Sequence, residues 1–340
     1  MGARSKQTYA SAGVNIEVAG KIKELIAKQA KSTFHPEALN LGSFGSMFQL
    51  KGYNEPVLVS SVDGVGTKLK IASLLNKNNT VGSDIVNHCV NDILCCGARP
   101  LFFLDYIAMD KLVPEQVEAI ITGIAKACQE VGCSLIGGET AEMPGIYFQG
   151  SYDLAGFIVG VVERASIIDG GSIAAGDVIL GLPSSGLHTN GYSLVRRVFG
   201  INDNPSCLHD FYPELRGTLG EELLQIHRCY YHWIKPVLPL VKGLAHITGG
   251  GFIGNIPRVL PESLVAHLCK GSWDIPPIFK LIQEKGNIAE AEMYRVFNMG
   301  VGMTIIASNQ EVAKISKILP QAKVIGEVAR AKGKKKVIIV

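Results

Sequence analysis

The sequence predicts an α+β protein of two domains, each with its own mixture of strands and helices. Three observations carry that prediction. The chain is 340 residues long, above the roughly 250–300 at which a single hydrophobic core stops growing. Apolar β-rich runs and amphipathic helical patterns recur in both halves. Strands also follow one another without a long crossover helix, as between residues 138 and 154, which favours two α+β domains over one doubly wound sheet. The small-residue stretch IIDGGSIAAGD (167–177) has the composition of a boundary loop. The domains therefore divide near residue 170, into 1–170 and 171–340.

In order, residues 14–31 read as an amphipathic helix with Ile22, Leu25, Ile26 and Ala30 on one face and lysines opposite. A glycine-containing loop follows at 40–46. Then come a strand at 57–63, a helix from Thr67, a helix at 84–96, a strand at 101–108, a helix at 114–131 and strands at 134–138 and 154–162. The second half predicts strands at 178–182, 244–248 and 264–268, with helices at 190–199, at 219–232 and from Pro277. GMTIIAS, a helix at 310–318, KVIGEV and KKVIIV complete it.

Composition narrows the class. The 38 glycines are about 11% of the chain against a usual ~7%, yet they follow no Gly-X-Y period and accompany 47% apolar residues, which excludes collagen and disorder. Net charge is +3, but Arg330, Lys332, Lys334, Lys335 and Lys336 all fall in the last eleven residues, leaving the remainder at about −2. That is a terminal strand with lysine gatekeepers, not the basic face of a nucleic-acid binder. The eight cysteines form no C-x-x-C, so they read as structural thiols of a reducing compartment. No apolar run approaches the ~18 residues of a membrane span, and the N-terminus has no apolar leader core. The expectation is a cytoplasmic protein with neither nucleic-acid nor membrane partners.

Several glycine-rich loops could meet phosphate. There is no P-loop, and Gly249, Gly251 and Gly254 match G-x-G-x-x-G in the wrong context, because Pro257 and Pro261 leave room only for a short helix. A run of three glycines, Gly249, Gly250 and Gly251, still offers clustered N–H groups, or else a tight turn. In SSVDGVGTKLK a strand ends at Asp63, Gly64 and Gly66 turn the backbone, and Thr67 and Lys68 open a helix, so that carboxylate, N–H groups and ammonium converge as phosphate and Mg²⁺ chemistry requires. Asp84, His88, Asn91 and Asp92 make one polar stripe on an otherwise apolar helix. Such a stripe asks for a partner, unless it is a solvated face. Glu139 and Glu142 follow a strand and two glycines in LIGGETAEMPG, and His188 and Asn190 occupy the loop SSGLHTNGYS. His227 and His232 read as a surface pair.

Taken together, LGSFGSMF, DGVGTK, the helix ending VND, GARPLFFLDY, GGETAEMPG, SSGLHTNGYSLVR and the GGG of ITGGGFIGNIPR resemble the phosphoribosylformylglycinamidine cyclo-ligase family, in order from about Tyr9 to Val328. The resemblance implies an ATP- and Mg²⁺-dependent homodimer acting on a small ribonucleotide, with N-terminal domains joined in a β-barrel across the two-fold and a C-terminal α+β sandwich alongside. It implies that Gly42 and Gly45 belong to a loop over the triphosphate, and that Asp63, Gly64, Gly66, Thr67 and Lys68 face phosphates. Asp63, Asp92 and Glu139, with Asp84 and Glu142 behind them, would hold metal. Asn91, Thr140, His188 and Asn190 would line the substrate and the transferring phosphate, with His188, Asn190, Lys68 and Asn91 as the catalytic set. Gly249, Gly250 and Gly251 would hold a phosphate or shape the cleft. His88 stands where the family pattern implies an apolar residue, so it is set outside the site.

Two rival readings remain at this stage. A kinase of the thiamine-monophosphate kinase type shares the ATP-binding architecture and differs chiefly in GGETAEMPG and SSGLHTNG. A non-catalytic nucleotide-binding scaffold is disfavoured by the full set of acids, because buried carboxylates without a cation only destabilise.

Overall fold

The computed structural model describes residues 16–40 and 44–340. The first half runs α1 (Ile16–Lys31), β1 (Ala38–Asn40), β2 (Met47–Phe48), β3 (Pro56–Gly64), α2 (Lys68–Leu74), α3 (Asn79–Leu94), β4 (Arg99–Met109), α4 (Pro114–Val131), β5 (Ser134–Glu142) and β6 (Tyr152–Glu163). Strands β3, β6, β4 and β5 form one sheet in that order. β6 is antiparallel to both its neighbours, while β4 and β5 are parallel and are joined by the crossover helix α4, as parallel pairing demands. Helix α4 has proline at its start and left-handed Gly132 at its end, the expected punctuation.

Helices α3 and α4 cover one face of this sheet. They cross at a pair of glycines: a Cβ on Gly82 would stand 2.1 Å from the Ile120 carbonyl oxygen, and one on Gly123 2.1 Å from that of Asn79. No side chain fits at either place. Gly156 makes a similar opening in β6, filled by Phe103 of β4 and Ile85 of α3. Among the described residues, the β3–β6 side of the opposite face is left uncovered, while Phe48 packs on Phe102 toward its other edge. Leu58 and Val62 of β3 are 62% and 68% exposed, and Tyr106 and Phe157 also face outward.

The second half contains β7 (Val178–Pro183), α5 (Tyr192–Val198), β8 (Phe211–Tyr212), β9 (Gly217–Thr218), α6 (Leu219–Leu223), α7 (Tyr231–Ile234), β10 (Gly243–His246), α8 (Gly251–Asn255), β11 (Leu264–Leu268), α9 (Pro277–Gly286), α10 (Glu290–Val296), β12 (Val301–Ala307), α11 (Asn309–Ile318), β13 (Lys323–Arg330) and β14 (Val337–Ile339). Six strands form its sheet in the order β10-β12-β7-β13-β11-β14. The lysine-flanked β14 lies at an edge, where charge discourages pairing with another chain.

The chain departs most from expectation at 219–232, where one helix was predicted. Helix α6 is closed at its start by the reciprocal bonds of Thr218 and Glu221 and stops at Leu223, and α7 is a single turn. The intervening backbone, Gln225 to Tyr230, bonds to side chains of the first half instead of to itself. Helical spacing was present there, but tertiary partners overrode it.

Candidate active site

The polar stripe of α3 has a partner, and most of it is protein backbone. The Asp84 carboxylate accepts from the His227 N–H at 2.7 Å, Asn87 donates to the His227 carbonyl at 2.8 Å, and Asn91 donates to the Arg228 carbonyl and accepts from the Tyr230 N–H. Lys68, at the start of α2, donates to the Gln225 carbonyl at 2.6 Å and lies 2.7 Å from Asp84, with both side chains fully buried. Burial pushes the Lys68 ammonium below and the Asp84 carboxyl above its ordinary value, and each charge opposes the shift of the other. Lys68, Asp84 and Asn91 are thus occupied in joining the two halves.

Next to Asn87 and Asn91, α3 presents His88 and Asp92 to the end of β3. The His88 Nε2 donates to Asp63 at 2.9 Å and stands 3.9 Å from Asp92. Asp92 accepts from Ser61 at 3.0 Å and from Nδ1 of His246, the last residue of β10, at 2.8 Å. Burial would raise both carboxyls, but hydrogen bonds from the two histidines outweigh it and hold Asp63 and Asp92 below the usual carboxylate range. Burial would lower His88, yet its bond to Asp63 and the surrounding carboxylates keep it above its ordinary value. His88, set aside on its sequence pattern, is in direct contact with the acid that ends β3.

Behind this pair lies a buried polar chain. The His88 Nδ1 is 2.9 Å from Thr189 Oγ1, which is 3.3 Å from His227 Nδ1, and His227 Nε2 is 2.9 Å from His246 Nε2. His227 is completely buried, which corrects its reading as a surface residue; His232 is the exposed member of that pair. The His227 ring stacks on that of His188 at 4.0 Å. Burial, reinforced by neighbouring positive groups, holds His188 and His227 neutral, well below the ordinary imidazole value. His188 has φ +61°, a conformation that strains a non-glycine residue, and its ring occupies space that a side chain at Gly302 would fill.

Asp92 and His246 open into a cleft of about 390 Å³ between the halves, also lined by Ser61, Thr248, Asn255 and Arg258, a size suited to a small ligand. The glycine run reaches its rim. Asn255 holds the Gly249 and Gly251 carbonyls, Gly250 and Gly251 have positive φ, and a Cβ on Gly251 would meet the Tyr294 carbonyl at 2.1 Å. The Asn190 amide oxygen packs against Gly249, and its amide nitrogen bonds Thr189. On the other side of α2, Gly66 and Thr67 line a second hollow of about 370 Å³ together with Lys70 and Arg196. Gly64 donates its N–H to Asp63.

The remaining predicted residues stand apart. Glu139 and Thr140 lie on β5, at the opposite edge of the sheet from β3, and Glu139 pairs in register with outward-facing Tyr106. Three strand spacings, about 14 Å, separate that strand from Asp63. Glu142 accepts from the Leu112 N–H at 3.0 Å. Gly45 falls in the bend before β2, next to Ser46, whose hydroxyl bonds the Ile136 carbonyl. Gly42 lies outside the described residues. Sequence reasoning missed Ser61, Thr189, His246, Asn255 and Arg258. Of these only His246 carried a signal, a histidine ending a strand just before the glycine run.

Comparison with known proteins agrees with this architecture. Residues 49–162 match the family described as AIR synthase related protein, N-terminal domain, and residues 174–339 match its C-terminal domain. A phosphoribosylformylglycinamidine cyclo-ligase of Caldicellulosiruptor bescii is 56% identical, covering 93% of this chain and 94% of its own. One from Brevibacillus brevis is 50% identical, covering 98% of each. Among solved structures, thiamine-monophosphate kinase from Stenotrophomonas maltophilia K279a superposes with a TM-score of 0.65 at 14% identity, covering 96% of each chain. Hydrogenase maturation protein HypE in complex with ATP superposes at 0.66 with 14% identity, covering 93% and 90%. These two are similar in fold.

Proposed function

This chain belongs to the AIR synthase related family, and from that premise we propose that it is an ATP-dependent ligase of purine biosynthesis, closing the imidazole ring of aminoimidazole ribonucleotide from formylglycinamidine ribonucleotide with release of ADP and phosphate. The observation that carries this reading is identity above one half to curated cyclo-ligases over almost their full length. The kinase alternative shares only the fold.

The chemistry suits the residues. An amide oxygen leaves poorly, so it is first phosphorylated by ATP; the amidine nitrogen then attacks the same carbon, and the C–O bond breaks as phosphate departs. Such a reaction asks the protein for positioning and charge neutralisation. Asp63 and Asp92 fit a hard cation, because both are ionised, partly exposed and within reach of one point beside His88. Magnesium bound there would neutralise phosphate oxygens. We assign the N–H groups of Gly249, Gly250 and Gly251 and the amide of Asn190 to the substrate side, with neutral His188 supporting that loop. Gly64, Gly66 and Thr67 are assigned to phosphate contact beside Lys70 and Arg196. Lys68, Asp84 and Asn91, whose polar groups are already used, are assigned to positioning α3.

We place the domain boundary near residue 170, in the connection between β6 and β7. The uncovered face of the first sheet, with Leu58, Val62, Tyr106 and Phe157, supports a homodimer closed through that face, and a barrel across the two-fold would bury it. Glu139 and Thr140 then belong at the subunit joint. The test of the reaction is substrate carrying ¹⁸O in its formyl group: the label is expected in the released phosphate. Label that stays out of phosphate overturns the phosphorylated-amide route.

A further inference from the structure

We propose that the open edge of β14, with the groove beside it, is a docking surface for an extended acidic segment of a partner protein, which adds to the second sheet as a further strand. The inference uses no residue assigned to the reaction. β14 ends the order of that sheet and, among the described residues, pairs with β11 alone, in parallel register. The Ala266 N–H donates to the Lys336 carbonyl, the Val340 N–H to the Leu268 carbonyl, and the Lys270 N–H to the Val340 carbonyl. Residues 336, 338 and 340 therefore turn their backbone inward, and strand alternation leaves the N–H and C=O groups of Val337 and Ile339 on the open side. Among the described residues nothing pairs with them.

The edge borders a groove of about 680 Å³ whose other wall is made by Ile253 of α8, Pro257 just after it and Tyr294 of α10. Charge separates this groove from ordinary surface. Of its cations, Lys270 is spent on Glu290 at 2.7 Å, and Lys336 on the carbonyls of Pro261, Glu262 and Leu264. Arg295, Lys334 and Lys335 are exposed and have no ion-pair partner among the described residues. Glu290, already paired, is the one acid in the lining. An occupant must therefore bring backbone groups to the edge, apolar side chains to the wall and acids to three uncompensated cations. An extended acidic segment brings all three, because an added strand bonds through its main chain and seats alternate side chains, whereas the backbone of a helix is already used within itself. The same charges disfavour a second copy of this chain, whose edge is equally basic. From Lys334 to Ile339 the edge offers six positions, about 20 Å at the rise of a strand.

The test is calorimetric titration of the full-length protein with the blocked peptide Glu-Glu-Val-Thr-Val-Glu-Glu, whose pattern reads the same in either direction, at about 50 mM and about 500 mM salt. One peptide per chain is expected to bind at the lower salt, and about tenfold more weakly at the higher. Reversing the groove's charge with Lys334→Glu and Lys335→Glu together should weaken binding by about tenfold and leave ring closure unchanged, since neither residue lies in the cleft. Replacing both valines of the peptide by proline removes N–H groups that a strand must donate, and should weaken binding to the same extent. Absence of binding at low salt, or binding retained either by the charge-reversed protein or by the proline peptide, overturns the proposal. Inorganic tripolyphosphate that binds more tightly than the peptide and is lost on charge reversal would mark the groove as a small-anion site, and overturns it equally.

Discussion

The Lys68 ammonium lies 2.7 Å from the Asp84 carboxylate with neither side chain exposed to solvent. Such a pair contributes little beyond an apolar replacement, but removing one partner strands a buried charge. Asp84→Asn is therefore expected to destabilise the protein by about 3–5 kcal/mol, while the double variant Lys68→Met with Asp84→Leu loses less. Denaturant midpoints of the three proteins test this; a double variant worse than the single one would contradict it.

Asp92 meets the cleft, the Ser61 hydroxyl and two histidines. Asp92→Asn keeps the shape and removes the charge, so divalent-cation-dependent turnover should fall by about 10²–10³-fold while circular dichroism and melting remain close to native. Undiminished ring closure in that variant would remove Asp92 from the cation site.

Asp105 on β4 faces α3 and α4, and burial, assisted by Glu139, pushes its carboxyl up to about 7. Its ordinary value in an unfolded chain is about 3.9. Between those values the native state holds the extra proton, so this group makes stability fall as pH rises from about 4 to about 7. Asp105→Asn should raise the melting temperature relative to wild type at about pH 8 and change it little at about pH 4. Equal effects at both pH values would show that Asp105 titrates normally.

Val62 is the most exposed apolar residue of β3 and pairs in register with Phe157. If the outer sheet face is the dimer contact, Val62→Asp should yield monomers in sedimentation equilibrium and leave the monomer folded. A wild-type chain that sediments as a monomer would dismiss the contact altogether.

How much of this was legible in the sequence differs from place to place. Strands β3, β4, β7 and β11 announced themselves as apolar runs, and the α3 stripe showed that something polar must lie against that helix. Periodicity identifies a face, however, not what covers it. Asp84 was read as a metal ligand and Asn91 toward the transferring phosphate, whereas their bonds run to the backbone of residues 227–230. That segment was read as helix for the complementary reason: its apolar spacing is helical, but its donors and acceptors are claimed from 140 residues away. Glu139 and Asp63 looked equivalent as acids after strands, and only the sheet order reveals that they occupy opposite edges. His88 belonged to the stripe by spacing and was set aside on the family pattern alone; its bond to Asp63 becomes visible only once β3 is placed against α3.

Helix α3 reaches the second half through Asp84, Asn87 and Asn91, with Lys68 beside them, and Asp92 directly follows Asn91 on the same rigid rod. To swing the halves apart would mean stripping these bonds and dehydrating nothing in return, since the ammonium and carboxylate would have to be pulled from a dry joint together. The gap between Asp92 and the glycine run is accordingly set when the chain folds. The molecule behaves as a gauge cut to one width, its jaws fixed before any ligand enters.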